Sequence, residues 1–179
     1  EAKKALLKAE SISPDNFDVI WALAWFYDQE KISARASEYY NRCLEIRPQA
    51  GKTLHVVLGD IYANQMGDYD RAIEQYEKAT VLNPGDATGF EKLAKAYTEL
   101  NRSEQAESAW HRAAALDAAK SDYQNEIGII YYRRGDYAKA AEYFQKALDL
   151  RPTDVVINDN LGQALQNAGR IDEAERVYL

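Results

Sequence analysis

The feature that most constrains this chain is its self-similarity at a spacing of 34 residues. Prolines that stop a helical pattern stand at Pro14, Pro48, Pro84 and Pro152, with Ala118 in the place of the missing one. The steps between these five positions are 34, 36, 34 and 34 residues. A unit of that length cannot bury its apolar face alone, so successive copies must stack on one another and share a core.

The clearest copy runs from Ser121 to Asp154. Ile127, Gly128 and Tyr131 fall on one face of a first helix, and Ala140, Phe144 and Ala147 on one face of a second. Gly135-Asp136 lies between them, and the glycine supplies the positive φ that lets the chain reverse. Aligned on the period, Leu23, Leu58, Leu93, Ile127 and Leu161 form one column. The next column is small throughout: Ala24, Gly59, Ala94, Gly128 and Gly162. Tyr27, Tyr62, Tyr97, Tyr131 and Leu165 follow three positions on. In the second helix the columns are Ala36, Ala72, Ala106, Ala140 and Ala174, then Tyr40, Tyr76, Trp110, Phe144 and Tyr178. Small residues let the paired backbones approach while the aromatic rings fill the space around them.

This set of columns resembles the tetratricopeptide repeat over essentially the whole chain. The resemblance implies an all-α fold, a right-handed α-solenoid of stacked antiparallel helix pairs. Residues 1–16 read as the second helix of a partial repeat, with Ala2, Leu6 and Ala9 in the expected columns. Four repeats follow at 17–50, 51–86, 87–120 and 121–154, and 155–179 is a partial fifth, all in one solenoid domain. Repeat two carries two extra residues, one near Gly51 and one near Asn64–Met66. In repeat three Asn101-Arg102 replaces Gly-Asp, and asparagine is the commonest substitute for glycine in a left-handed cap. Leu6 and Leu7 at one end, and Val177, Tyr178 and Leu179 at the other, read as stacking residues without a neighbour. That is expected of a piece of a longer protein, or of ends that meet another copy.

Composition narrows the function. A net charge of −7 argues against a nucleic-acid or anionic-membrane footprint. No apolar run approaches the roughly 18 residues that span a bilayer, so direct membrane insertion is not expected. The compartment is left open, with the cytoplasm slightly favoured. Cys43 is the single cysteine and shares the small-residue column of Ala79, Ala113 and Ala147, which reads as a buried apolar position. Of the two histidines, His55 falls near the helix-pair packing face and His111 faces outward. Neither has a Cys or His at ligand spacing, so no metal site and no cofactor is expected. Glycine-rich phosphate loops are absent, and no catalytic constellation can be assembled, so the chain is not read as an enzyme.

In the family that this sequence resembles, the first helices line a concave groove. The positions left over once the packing stripe is assigned give the candidate groove residues: Trp21, Trp25, Val56, Val57, Asp60, Lys92, Lys95, Asn125, Ile129, Tyr132, Asn160 and Gln163. Trp21 and Trp25, one turn apart, either take an apolar side chain of a bound peptide or pack against the first helix of the repeat missing at the N-terminus. Lys92 and Lys95 either hold a ligand carboxylate or pair with Glu91, Glu99 or Glu126. Asn125, Asn160 and Gln163 can bond a peptide backbone, because an amide both donates and accepts. The two-carboxylate clamp that grips chaperone C-terminal tails needs Lys and Asn, then Asn, then Lys and Arg. Those positions read Trp21 and Trp25, then Val57, then Thr88 and Lys92, so chaperone tails are disfavoured. The asparagine ladder of O-linked N-acetylglucosamine transferases fails as well, since its column reads Ala22, Val57, Lys92, Glu126 and Asn160. The expectation is a protein–protein interaction scaffold that binds a peptide segment or helix of a partner in its groove. The alternatives are self-assembly into homo-oligomers through uncapped ends, or the recruiting arm of a larger enzyme.

Overall fold

The computed structural model describes residues 1–178, and all regular structure among them is helical. Leu179 lies outside the described residues. The chain forms two compact units, residues 1–85 and a second unit beginning at Asp86.

The first unit contains α1 (Ala2–Ile12), α2 (Phe17–Gln29), α3 (Ser33–Ile46), α4 (Gly51–Asp60) and α5 (Tyr69–Leu82), each packed on the next. Its core holds Ile20, Leu23, Ala24, Ala36, Tyr40, Cys43, Leu54, Leu58 and Ala72, all buried. Burial pushes the Cys43 thiol up to about 11, against weak opposition from Arg42 and Arg47. At the outer side, Leu7 is exposed while Leu6 is half-buried.

The second unit contains α6 (Ala87–Glu99), α7 (Ser103–Leu116), α8 (Ser121–Arg133), α9 (Tyr137–Leu150), α10 (Val155–Asn167) and α11 (Ile171–Tyr178), again packed in sequence. Leu93, Ala94, Ala106, Trp110, Ile127, Ala140, Phe144, Leu161 and Ala174 fill its core. Each fully buried large side chain in these columns is worth roughly 1.5–3 kcal/mol over its exposed state. Tyr131 departs from its column by being only half-buried. Its ring stacks on Tyr143 at 5.4 Å, and its hydroxyl donates to Glu107 at 2.6 Å. Tyr178, the last aromatic of its column, is exposed, and Val177 is half-buried.

The small column has a steric cause. A Cβ added to Gly128 would lie 2.6 Å from Phe144 Cε1, and one on Gly59 2.3 Å from Tyr76 Cε1. The ring opposite is seated directly on the glycine backbone.

The reversals between paired helices all pass through a left-handed residue. Gly67, Gly135 and Gly169 have φ of 66°, 79° and 77°, and Asn101 has φ 56°, so the Asn101-Arg102 turn survives as expected. Lys31 also stands there at φ 57°, in a conformation that side chains with a Cβ rarely adopt. Where aspartate follows the glycine, its carboxylate caps the next helix, as Asp68 does for Arg71 N and Asp136 for Lys139 N.

Both extra residues of the second repeat have a structural form. Pro48–Ala50 makes a 3₁₀ turn that runs straight into α4 at Gly51. Beyond α4 the helix widens into a π turn over Ile61–Gln65, with Met66 N donating to Ile61 O.

Candidate functional site

In the first unit, α2 carries Trp21 and Trp25, and α4 carries Val56, Val57 and Asp60. The two tryptophans are in different situations. Trp21 is half-buried, its ring edge-on to Tyr40 at 5.7 Å and tilted over Phe17 at 5.8 Å. Those contacts are made within its own helix pair. Trp25 is 56% exposed. The equivalent positions of the other first helices are Asp60, Lys95, Ile129 and Gln163, so nothing in the packing demands an indole there. Val56 and Val57 are half-buried. Asp60 accepts the Tyr76 hydroxyl at 2.7 Å; burial first, and then this bond, hold the Tyr76 phenol far above its usual range. The π turn places Gln65 beside α2, where its amide donates to Asp28 at 2.6 Å and accepts from Ser33 Oγ at 2.8 Å.

In the second unit the first helices α6, α8 and α10 are tied together by side chains on one face. Glu91 is the hub of the first junction. Lys95 Nζ lies 2.6 Å from Oε1, while Lys120 Nζ at 2.6 Å and the Tyr123 hydroxyl at 3.0 Å reach Oε2. Burial would raise the Glu91 carboxyl, but the bonds from Lys120, Lys95 and Tyr123 prevail and bring it down to about 2. Of the two lysines in the sequence-based set, Lys95 is thus ion-paired to Glu91; Lys92 is half-buried. At the second junction Asn160 Nδ2 donates to Asn125 Oδ1 at 3.0 Å, and Asn167 Nδ2 to the Tyr132 hydroxyl at 2.8 Å. Gln163 is exposed and its amide donates to Asp159 at 2.7 Å, and Ile129 is half-buried between these polar groups in sequence.

The structure therefore joins Asn125 to Asn160, and groups Lys95 with Glu91. Trp21, Trp25, Val56, Val57 and Asp60 stand on the first unit; Lys92, Lys95, Asn125, Ile129, Tyr132, Asn160 and Gln163 stand on the second. Sequence reasoning missed Gln65, Lys120, Tyr123 and Asn167. Asn167 lies one turn beyond Gln163 and was within reach of the same helical spacing. Lys120 precedes its helix, and Gln65 depends on the π turn, so neither carried a periodic signal.

Among the described residues no group of three or more His, Cys, Asp or Glu could hold a metal ion. His55 Nδ1 lies 2.8 Å from Gln75 Oε1 in a half-buried setting. His111 is exposed on α7, 3.9 Å from Glu107. No helix among the described residues is long and apolar enough to cross a membrane.

Comparison with known proteins agrees with this architecture. Tetratricopeptide-repeat family models match residues 17–49, 91–155 and 143–176, and a TPR-repeat model matches 59–101. Superkiller protein 3 of Saccharomyces cerevisiae is 31% identical over 127 residues, covering 68% of this chain and 9% of that protein. The peroxisomal targeting signal receptor of Candida albicans is 31% identical over 152 residues, covering 76% of this chain and 24% of that receptor. The chain thus spans a quarter or less of the length of these two relatives. Among solved structures, MamA superposes with a TM-score of 0.80 at 23% identity, over 90% of this chain and 87% of MamA. YrrB, described as a TPR protein with an unusual peptide-binding site, gives 0.76 at 19% identity, over 97% and 88%. At these identities the two structures speak to the fold. With family models matched along its length and the helix pairs, small columns and left-handed turns in place, the chain belongs to the tetratricopeptide-repeat family.

Proposed function

We propose that this chain is a binding scaffold rather than a catalyst, and that it takes a segment of a partner protein on the first-helix faces of its units. The observation that carries this reading is Trp25, a tryptophan 56% exposed on the face left over by packing. A large indole left mostly exposed is the type of side chain that anchors a partner in a desolvated pocket. In the second unit the amides of Asn125, Asn160 and Gln163 fit the main chain of an extended segment, which offers alternating donors and acceptors. The likeness to a targeting-signal receptor and to a peptide-binding repeat protein supports a polypeptide as the ligand class. The net charge of −7 makes nucleic acid an unsuitable partner.

The reading is tested by selecting random dodecapeptides displayed on phage against the immobilised chain. Enrichment of sequences sharing an apolar residue is expected, and Trp25→Ala should abolish it without moving the thermal midpoint. Trp21→Ala, by contrast, should lower the midpoint, because that ring packs on Tyr40 and Phe17. Enrichment that survives Trp25→Ala undiminished would refute the anchor.

A further inference from the structure

Several carboxylates of the second unit are held by hydroxyl or cationic partners. Glu91 is saturated by Lys95, Lys120 and Tyr123. Asp122 is paired with Arg151, and Glu107 takes the Tyr131 hydroxyl and the Arg134 guanidinium. Glu126 differs from all of them. It sits mid-way along α8, half-buried, and accepts no hydrogen bond and makes no ion pair among the described residues. Burial raises its carboxyl above the usual range; Lys95 and Arg133 act on it from a distance in the other direction, while Asp122 and Glu91 add repulsion. Lys95 is already committed to Glu91 at 2.6 Å.

A carboxylate partly withdrawn from water without a protein partner gives up solvation that nothing in the fold returns. The fold does not need it: the equivalent positions of the other first helices are Ala22, Val57, Lys92 and Asn160. Next to it in the chain is Asn125, bonded to Asn160 at 3.0 Å. That bond uses one donor of Asn160 and one acceptor site of Asn125, so the pair still offers the Asn125 NH₂ and the Asn160 Oδ1. A donor and an acceptor carried on one bonded amide pair are the complement of the C=O and N–H of an extended main chain. Resting on the reading that this face binds a polypeptide segment, we propose that Glu126 receives a lysine or arginine side chain of that segment, with Asn125 and Asn160 bonding its backbone. The ligand cation then supplies the charge-assisted hydrogen bonds that the protein withholds from Glu126. Its overall charge of −7 draws such a segment in.

The test uses the intact chain and a positional-scanning set of fluorescein-labelled decapeptides. Each position is fixed in turn as Arg, citrulline, norleucine or Glu, and binding is read by fluorescence anisotropy. Arg pools should bind at least tenfold more tightly than citrulline pools at one position. Glu126→Gln should erase that difference, with the thermal midpoint unchanged or higher. Glu126→Arg should turn the preference towards Glu pools, and Asp159→Asn should keep the Arg preference. Equal binding of Arg and citrulline pools, or an Arg preference that persists in Glu126→Gln, overturns the role of Glu126 and leaves the scaffold reading standing. Failure of every pool to bind, or binding indifferent to both Asn125→Ala and Trp25→Ala, overturns the scaffold reading and this inference with it.

Discussion

Glu91 allows a stability prediction with both a magnitude and a pH signature. Its carboxylate joins α6 to the start of α8 through Lys120 and Tyr123, and it also holds Lys95. The carboxyl falls from the ordinary 4.5 to about 2 on folding. At about 1.4 kcal/mol per pKa unit, that shift corresponds to an upper limit of roughly 3 kcal/mol at neutral pH. Lys95 is 61% exposed and Lys120 38%, so water screens both ion pairs. The expected contribution is therefore about 1–2 kcal/mol. The sign follows from the direction of the shift. A depressed carboxyl stabilises the fold above its unfolded value and loses that contribution as pH falls towards the folded value. Glu91→Gln should thus lower the urea-unfolding free energy by about 1–2 kcal/mol at pH 7, and the gap between wild type and variant should close between pH 4.5 and pH 2. A second variant, Lys120→Met, should remove part of the same energy, and the double variant should cost less than the sum. A gap that stays constant down to pH 2 would show that the substitution disturbs packing rather than charge, and no gap at pH 7 would refute the reasoning altogether.

Two further outcomes follow from backbone and packing geometry. Gly128→Ala should destabilise by about 1–3 kcal/mol and Gly128→Leu by more, because a Cβ there meets the Phe144 ring at 2.6 Å; thermal melts check this, and Phe144→Leu should restore part of the loss. Lys31→Gly should raise the unfolding free energy by about 0.5–1 kcal/mol, since glycine adopts φ 57° without Cβ strain, and chemical denaturation reads the change directly.

Much of the fold was legible because its signals repeat. The column of Leu23, Leu58, Leu93, Ile127 and Leu161 is buried in every copy, and the alanine column from Ala36 to Ala174 likewise. Five copies of one apolar stripe leave a single consistent helix phase. Asn101 could be recognised as a turn residue because its amide tolerates the left-handed region. Lys31 could not, since lysine carries no preference for positive φ; the neighbouring helices impose that conformation from outside the turn. The candidate site was harder. Trp21 and Trp25 lie on one stripe, and spacing cannot say which ring finds a partner. Tyr40, 19 residues on, makes the difference by meeting Trp21 edge-on. The Glu91 junction needs Lys120, 29 residues away and ahead of its helix, so no periodicity announces it. Glu126 is defined by partners that did not arrive, and that can be seen only once every neighbour is placed.

The π turn shows how the core dictates where an irregularity is allowed. An extra residue within a helix rotates everything beyond it by about 100°, which would turn a buried stripe to solvent. Here Leu58 remains buried ahead of the turn and Tyr62 at its start, and Ala72 and Ile73 remain buried after it. The surplus is absorbed between them. In the other repeats the residue opening the second helix donates back five positions, as Ile32 N does to Tyr27 O and Asp136 N to Tyr131 O. In the second repeat Asp68 N reaches back six, to Tyr62 O at 2.8 Å, and closes the same cap around one more residue. Tyr62 and Asp68 thus keep the roles of their columns while the backbone between them widens. The freed residue is spent at the end of the first helix, where it carries Gln65 to Asp28 and Ser33. An insertion placed one turn earlier, between Leu58 and Tyr62, would have broken the stripe itself. The position of the π turn is the one at which an added residue reshapes the first-helix surface of its unit and leaves the core untouched.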